Sequence, residues 1–478
     1  MSTIPRRSRL SRGPTVSRVC YENVSYWLED VGELTPRPQL QGSVHADVAI
    51  VGAGYTGLWT AYYLQRRRPG LRVVVVDSEI AGFGASGRNG GWCNSSMIGV
   101  SPGEMERRYG AEATSQVFGV LRETVSEVGR VCEGAGIDVA WRPAGVLRLA
   151  VGEHELPALH ARWQTLQRLG LAEGCALLDR GALERRVRVA DARGAVFDPH
   201  VAFHHPGRLT RGLARHVEQR GATIYERSPV VAYELGDRPR LVTPAGEVRA
   251  DTVVLAGGAF LTRFGGWRRR MLPVYSLVVL TEPLSEAQWQ EVGWADGECL
   301  SSHALTVDYV TRTHDGRVLF GGRGVPYHFG SRVAAAFDRD VRAHANLRAR
   351  FRRWFPALHD VRFTHAWGGP LGVTRDWMPV FVHDRTLGVA TCYGYAGQGV
   401  APSNLAGRML ADSIAERSGS PLLELPLAQH RVRRWEPEPL RWLGVRFVQR
   451  RLAAIDRRGE RTGKAPRGRS LAERLSRH

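Results

Sequence analysis

The feature that most limits what this chain can fold into is an apolar run, Asp47-Val48-Ala49-Ile50-Val51, that passes directly into Gly52-Ala53-Gly54-Tyr55-Thr56-Gly57. A continuous apolar strand of this kind belongs in a parallel sheet covered on both faces. Residues 58–68 carry helical patterning that stops at Pro69-Gly70, and a second strand over 72–76 closes on Asp77. Strand, glycine turn, helix and strand open a βαβ unit. Gly52 permits the tight turn, Gly54 lets backbone approach a diphosphate, and Gly57 lets helix and strand pack closely. The helix start, with Tyr55 and Thr56, offers unpaired N–H groups and a positive dipole end to phosphates. Asp77 stands 20 residues after the last glycine, where an acid can accept hydrogen bonds from a ribose diol, and Ser78 adjoins it. The pattern predicts a dinucleotide site.

Charge narrows the class less than its size implies. The 478-residue chain has a formal net charge of +19, yet 65 of its 66 basic residues are arginine and Lys464 is the single lysine. Residues 1–20 hold +5 and residues 431–478 hold +10, which leaves +4 over 21–430. The central part is nearly balanced and no groove-reading motif accompanies the arginines, so no specific nucleic-acid partner is expected. Schiff-base chemistry needs a lysine in a pocket, and the only one lies in the C-terminal arm, which disfavours a pyridoxal-phosphate enzyme. Six scattered cysteines without a C-x-x-C pair fit neither a zinc site nor a disulfide framework, and suit a reducing compartment. The N-terminus lacks the apolar stretch of a secretory leader, and no window approaches the length of an apolar transmembrane segment.

A second glycine-rich stretch follows Asp77 closely: Gly82-Phe83-Gly84-Ala85-Ser86-Gly87-Arg88-Asn89-Gly90-Gly91. A third, Gly394-Tyr395-Ala396-Gly397-Gln398-Gly399-Val400, leads into a helix predicted over 403–416. Apolar strands over 252–256 and 387–391 also run toward glycines. Helical patterning fills 103–135, and alternation at 146–149 and 277–280 predicts a separate antiparallel sheet. Glycine stretches so far apart suit a long, extended cofactor held by a discontinuous domain. An NAD enzyme usually completes its nucleotide domain in one block.

These stretches, with residues 256–260, Trp367-Gly368-Gly369-Pro370, Asp376, Pro379 and residues 394–407, resemble the D-amino-acid-oxidase-like flavoprotein amine oxidoreductases. That is the fold group of sarcosine and glycine oxidases, and the likeness is greatest to its gamma-glutamylputrescine oxidase branch. It runs from about Tyr26 to about Ile414. The resemblance implies FAD, with its adenine half on the first βαβ unit and backbone near Val230 and Val231 meeting the adenine. It also implies that Ser86, Arg88, Asn89 and Gly90 lie along the diphosphate, ribityl chain and ring. Gly84, Ala85, Gly91, Ala256 and Gly257 fall in the same site, and Gly397, Gln398, Gly399 and Val400 lie by the isoalloxazine.

The chain departs from that pattern in three places. Sarcosine-type relatives attach flavin through a cysteine shortly after the tryptophan-glycine stretch, whereas Leu371-Gly372-Val373 has none, so non-covalent FAD is expected. Just beyond the glycine stretch over 394–400, where sarcosine-type relatives hold the substrate carboxylate with a lysine, this chain has Ala401. No lysine precedes residue 464, so none stands over the flavin to activate oxygen. The implied reaction oxidises the C–N bond of a primary or secondary amine, or an amino acid, by hydride transfer to flavin. The imine hydrolyses and O2 is reduced to H2O2. One alternative is an amine dehydrogenase passing electrons to a quinone or protein; another, of a different class, is a flavin-fold protein that modifies or binds nucleic acid through its basic tails.

A neutral amine is needed for the chemistry, and an apolar aromatic pocket favours it; an aromatic wall can also hold a distal cation. Trp92, Tyr275, Tyr327, Trp367 and Tyr395 are wall candidates, with core packing as the alternative for each. Tyr275, Trp367 and Tyr395 are carried as catalytic candidates, with His328 and Arg323 placed to polarise flavin or oxygen. His204 and His205 with Asp198 and His200 look like a metal cluster, but they precede a helix predicted from Pro206, so a structural role and no metal are expected. A basic amphipathic helix over 440–455 is expected to dock on its own domain, with peripheral membrane contact as the alternative. The expected fold is α/β. A discontinuous Rossmann-type FAD-binding domain (21–101, 201–266 and 361–420) joins an α+β substrate domain with an antiparallel sheet (102–200 and 267–360). A basic N-terminal tail (1–20) and a basic C-terminal arm (421–478) flank them, and the expected location is the cytoplasm.

Overall fold

The strand expected over 47–51 begins earlier, at Gly42, and runs to Val51 at the heart of a nine-stranded sheet. This is a computed structural model, and it describes residues 4–11, 19–97, 99–325, 327–417, 419–466, 468 and 470–476. Val48, Ala49 and Ile50 are buried, as a strand between two covering layers requires. Gly42–Val51 pairs in parallel with Val73–Val76 on one side and with Gly246–Leu255 on the other. Val389–Tyr393 in turn pairs in parallel with Gly246–Leu255, and Thr223–Tyr225 with Val73–Val76. Strands from the beginning, middle and end of the chain therefore complete one Rossmann-type sheet. Helix Tyr55–Arg67 packs on it and against Val400–Ile414. Both helices begin at glycines, which supply no side-chain cap of their own to the first N–H groups.

The antiparallel margin of this sheet holds a correction. Arg7–Arg9, expected within a basic tail, forms an edge strand against Ala232–Glu234, and Ile4 is buried beneath it. Within the strand Ser8 is the half-buried position between two exposed arginines, and Leu10 bridges to Phe264. Charge count alone does not distinguish a solvated tail from an edge strand dressed with arginines.

The second sheet has eight strands in the order Phe363–Val373, Leu272–Thr281, Val318–Val325, Asp308–Arg312, Cys299–Ser302, Val146–Val151, Ala192–Asp198 and Ala176–Asp179. Its pairings are antiparallel except for Cys299–Ser302 beside Val146–Val151, which is parallel. Phe363–Val373 belongs to this sheet, so the chain re-enters the nucleotide sheet after Val373 and not at residue 361. The helical stretch expected over 103–135 is two helices, Pro102–Tyr109 and Ala111–Gly134, parted by Gly110 at φ +85°.

The C-terminal arm docks. Helix Leu440–Thr462 sets Trp442 and Val445 against Leu272, Tyr327 and Trp435, and the Asp456 carboxylate accepts the N–H groups of Leu305 and Thr306 at 3.0 and 2.9 Å. Leu443 and Phe447 remain exposed on its outer side. No described helix is long and apolar enough to cross a membrane.

One buried carboxylate ties the nucleotide half together. Glu226 is fully enclosed and accepts from the Arg37 backbone N–H, the guanidiniums of Arg37 and Arg211, and the Ala81 N–H, each at 2.8 Å. Replacing it strands the buried Arg211 guanidinium, whereas Arg37 keeps its pairing with Glu218. Glu226→Leu is expected to cost about 3–5 kcal/mol, read as a lower urea midpoint with an unchanged slope; a wild-type midpoint would contradict this account.

Candidate active site

A cavity of about 1120 Å³ runs between the two sheets, and residues 52–57, 82–91 and 394–400 all contribute to its walls. At its floor is the turn after Gly42–Val51. Gly52 has φ +106°, which side chains avoid, and a Cβ on Gly57 would stand 2.0 Å from the Gly52 carbonyl oxygen. The helix therefore sits nearer the strand than any other residue allows. Gly54 faces the cavity, and the Tyr55 N–H donates to Ser86 Oγ at 2.9 Å, which couples the first glycine turn to the second. Asp77 accepts the Ala53 N–H at 2.6 Å and the Glu79 N–H at 2.9 Å. Burial pushes its carboxyl up to about 6, so near pH 7 it is ionised and able to accept from a diol.

The sequence candidates divide cleanly. Gly52, Gly54, Tyr55, Thr56, Asp77, Ser78, Gly84, Ala85, Ser86, Asn89, Gly90, Val230, Ala256, Gly257, Tyr395, Gly397, Gln398, Gly399 and Val400 all line the cavity. Gly57, Arg88, Gly91 and Val231 do not, and each has a supporting task instead. The Arg88 guanidinium donates to Asp338 at 2.6 Å, to the Gly368 carbonyl at 3.0 Å and to the Phe83 carbonyl at 2.7 Å, clamping the second glycine stretch to the second sheet. Gly91 lies against the His204 carbonyl and the Phe203 ring. The Val231 backbone is used within the sheet margin: its N–H donates to Val242 and its carbonyl accepts from Leu10.

Among the aromatic candidates, Trp92 and Tyr395 face the cavity. Tyr395 Oη lies 2.9 Å from Thr56 Oγ1, tying the loop over 394–400 to the first helix, and burial holds its phenol protonated. Tyr275, Tyr327 and Trp367 are core residues, and their placement corrects the expectation that they form the wall. Trp367 Nε1 donates to the Arg88 carbonyl at 2.9 Å within a cluster that includes Trp27 and Phe203. The Tyr275 hydroxyl is held at the backbone of Ala334. Tyr327 Oη bonds Glu438 and Ser331. Proximity of a large aromatic to a glycine motif marks a packing site as often as a ligand site. His328 stacks on Phe337 with ring centroids 3.4 Å apart and is not among the cavity walls either. Arg323 lies on strand Val318–Val325, with its side chain outside the described residues.

The histidine group is dispersed. His204 Nε2 lies 3.0 Å from Tyr55 Oη and burial lowers its pKa to about 3; His205 Nε2 lies 3.0 Å from Asp30, and His200 Nδ1 2.9 Å from Asp198. His205 also accepts the Arg208 N–H, capping helix Pro206–Gln219.

Several cavity residues had weak signals or none in the sequence. Leu10, Val19 and Tyr21 close one end together with residues 243–245. Ser96, Arg148, Arg162, Ser301 and Tyr309 line the side formed by the second sheet and its helices. Arg148 did carry a signal, as the one charge in the strand sequence Val-Leu-Arg-Leu-Ala-Val.

A nucleotide cradle at the strand ends of a Rossmann-type sheet, opening under a second sheet, defines a two-sheet dinucleotide-dependent enzyme. The profile of the family described as FAD dependent oxidoreductase (DAO) matches residues 47–413, and the chain belongs to that family. It is 30% identical to gamma-glutamylputrescine oxidoreductase of Escherichia coli (strain K12), over 82% of this chain and 88% of that one. It is 27% identical to glycine oxidase of Geobacillus kaustophilus (strain HTA426), over 78% and 93%. The crystal structure of glycine oxidase from Geobacillus kaustophilus superposes with a TM-score of 0.64 at 24% identity, covering 81% of this chain and all of that one. L-proline dehydrogenase from P. horikoshii gives 0.64 at 18%, covering 82% and 96%. These structures share the fold. FAD is the cofactor, and the glycine cradle, the two uncapped helix starts and the ionised Asp77 fit its diphosphate and ribose.

Gly54→Val is expected to purify without flavin. A Cβ at this position stands 3.0 Å from Ser86 Oγ, so the valine methyls beyond it would fill the cradle. The ratio of visible flavin to protein absorbance checks this; wild-type loading would remove the diphosphate from this turn.

Proposed function

We propose that the enzyme oxidises the C–N bond of an amine or amino acid, releasing an imine that water hydrolyses, with O2 as electron acceptor. The observation that carries the reading is the continuous cavity in which the FAD cradle extends under the second sheet. Relatives named for gamma-glutamylputrescine and for glycine support an amine donor. Bound FAD supplies the two-electron acceptor. The protein supplies position and environment. Residues 52–57 and Asp77 would hold the adenosine diphosphate end, and Val230 would border the adenine. The loop over 394–400, fixed by the Tyr395–Thr56 bond, would set the edge of the ring.

Trp92 and Tyr309 stand edge to face at 6.2 Å beside Gly90, forming an aromatic corner that shields the donor carbon from water. Desolvation there lowers the substrate amine's pKa and favours the form with a free lone pair. Oxidation removes two electrons and two protons from the substrate, and O2 takes up both pairs as H2O2. Residues 21–101 and 201–266 would form most of the FAD-binding half, with 102–200 and 267–360 roofing the substrate. The six free cysteines support a cytoplasmic location.

Non-covalent FAD is part of the proposal. No cysteine is among the described cavity walls, and burial raises the thiols of Cys93 and Cys392. Acid precipitation should leave the yellow colour in the supernatant; colour in the pellet would mean a covalent link. Anaerobic mixing with a panel of amines and amino acids should bleach the flavin, and readmitted oxygen should yield H2O2 in step with oxygen uptake. A panel that bleaches nothing contradicts amine oxidation, whereas bleaching without peroxide assigns the electrons to a quinone or protein acceptor.

A further inference from the structure

The C-terminal helix packs with one face and leaves the other uncovered. Helix Leu440–Thr462 is fixed from within: the buried Arg441 guanidinium donates to Glu438 at 2.9 Å and to the Arg268 carbonyl at 2.6 Å. Trp442 and Val445 meet Tyr327 and Trp435, and Asp456 accepts its two backbone N–H groups. These contacts satisfy the helix's own packing, so the apolar groups on its outer side are not needed to hold it.

Eight large apolar side chains are exposed among the described residues, and they are not scattered. Leu440, Leu443 and Phe447 follow one another at helical spacing, and exposed Phe329 stands edge to face against Trp442 beside them. Leu471 and Leu475 stand on helix Leu471–Ser476, which packs against the same helix; Leu177 and Val341 lie elsewhere. Toward the C-terminal end the same outer face passes to exposed Arg450, Arg451, Arg457, Arg458 and Arg461. At 3.6 residues per turn these apolar and basic positions share one stripe about 140° wide and about 30 Å long. The two acids of the helix fall outside it: Asp456 is used inward, and Glu460 pairs with Arg353.

Charge says what covers this face. Residues 431–478 hold +10 and the whole chain +19, so a second copy meets like charge. Nucleic acid supplies anions but nothing for Leu443 and Phe447 to enter. A convex face with bulky apolar tips at one end and guanidiniums at the other matches a surface that offers hydrocarbon beneath a layer of phosphates. We propose that the outer face of helix Leu440–Thr462 docks the enzyme on an anionic phospholipid bilayer. Leu440, Leu443, Phe447 and Phe329 enter the boundary between headgroups and acyl chains, and the arginines pair with lipid phosphates. Packing on the domain and docking on the membrane use opposite faces of one helix, so the face is presented preformed. The arm lies beyond residues 47–413, the part shared with the family, and the inference is independent of the amine-oxidation reading.

The test is co-sedimentation of the FAD-loaded full chain with vesicles of phosphatidylcholine alone and of an equimolar mixture of phosphatidylcholine and phosphatidylglycerol. Only the mixed vesicles should pellet the protein, and raising salt from about 0.1 to about 0.5 M should release most of it. Leu443→Ser with Phe447→Ser, which leaves charge unchanged, should weaken partitioning by at least about 10-fold. Arg457→Gln with Arg458→Gln should weaken it by about 10- to 30-fold. The same charge loss at the N-terminal edge strand, Arg7→Gln with Arg9→Gln, should change it by less than about twofold. All three double variants should keep wild-type Tm and flavin content, because the altered side chains are exposed. Wild-type binding by the serine variant, or equal loss from the two arginine pairs, reduces the binding to diffuse charge and overturns the docking face. Failure to bind the mixed vesicles overturns it too; if sedimentation velocity then shows a dimer that the serine variant abolishes, the face belongs to a second copy.

Discussion

The approach of helix Tyr55–Arg67 to the end of strand Gly42–Val51 is the contact on which the rest of the structure depends. With a Cβ on Gly57 only 2.0 Å from the Gly52 carbonyl, nothing but glycine permits it. That closeness sets the helix start at the floor of the cavity and brings the Tyr55 N–H to Ser86. Ser86 positions the second glycine stretch, which Arg88 then ties to Asp338 and to the carbonyl of Gly368 in the other sheet. Tyr395 closes the same circuit from the far end of the chain through Thr56. Three glycine-rich segments, widely separated in sequence, are thus held by a few short polar contacts around one cofactor-sized space.

The nucleotide half was largely legible because its signals are local. A buried parallel strand, a glycine turn, a helix and an acid at fixed spacing each demand their residue types on backbone grounds alone. The substrate half was not legible to the same degree. Tyr275 and Trp367 adjoin glycine motifs and look like ligand walls, yet strand register turns both into core: Tyr275 pairs opposite Pro370 and Val278 opposite Trp367 in adjacent strands of the second sheet. One-residue steps in a strand exchange faces, and register between strands so distant along the chain has no local signature. Arg7–Arg9 shows the opposite error, a paired edge strand disguised by charge.

The arginine bias that gives this chain its net charge of +19 thereby acquires a structural reading. In the nearly balanced core several arginines serve as clamps: Arg37 and Arg211 on Glu226, Arg88 on Asp338, Arg350 on Asp308. Such pairs fix geometry more than they add stability, because desolvation offsets most of the attraction. The absence of lysine from the described cavity walls leaves arginine as the cation available near the reacting atoms.

Hydrogen–deuterium exchange of the apoprotein against the FAD-loaded protein tests the central claim most directly. If one cofactor spans the cavity, FAD will slow amide exchange together at residues 52–57, 227–230 and 394–400, three segments joined only by the folded sheet. Protection confined to residues 42–101, with the loop over 394–400 unchanged, would contradict a cofactor that reaches from the first glycine turn to the substrate sheet.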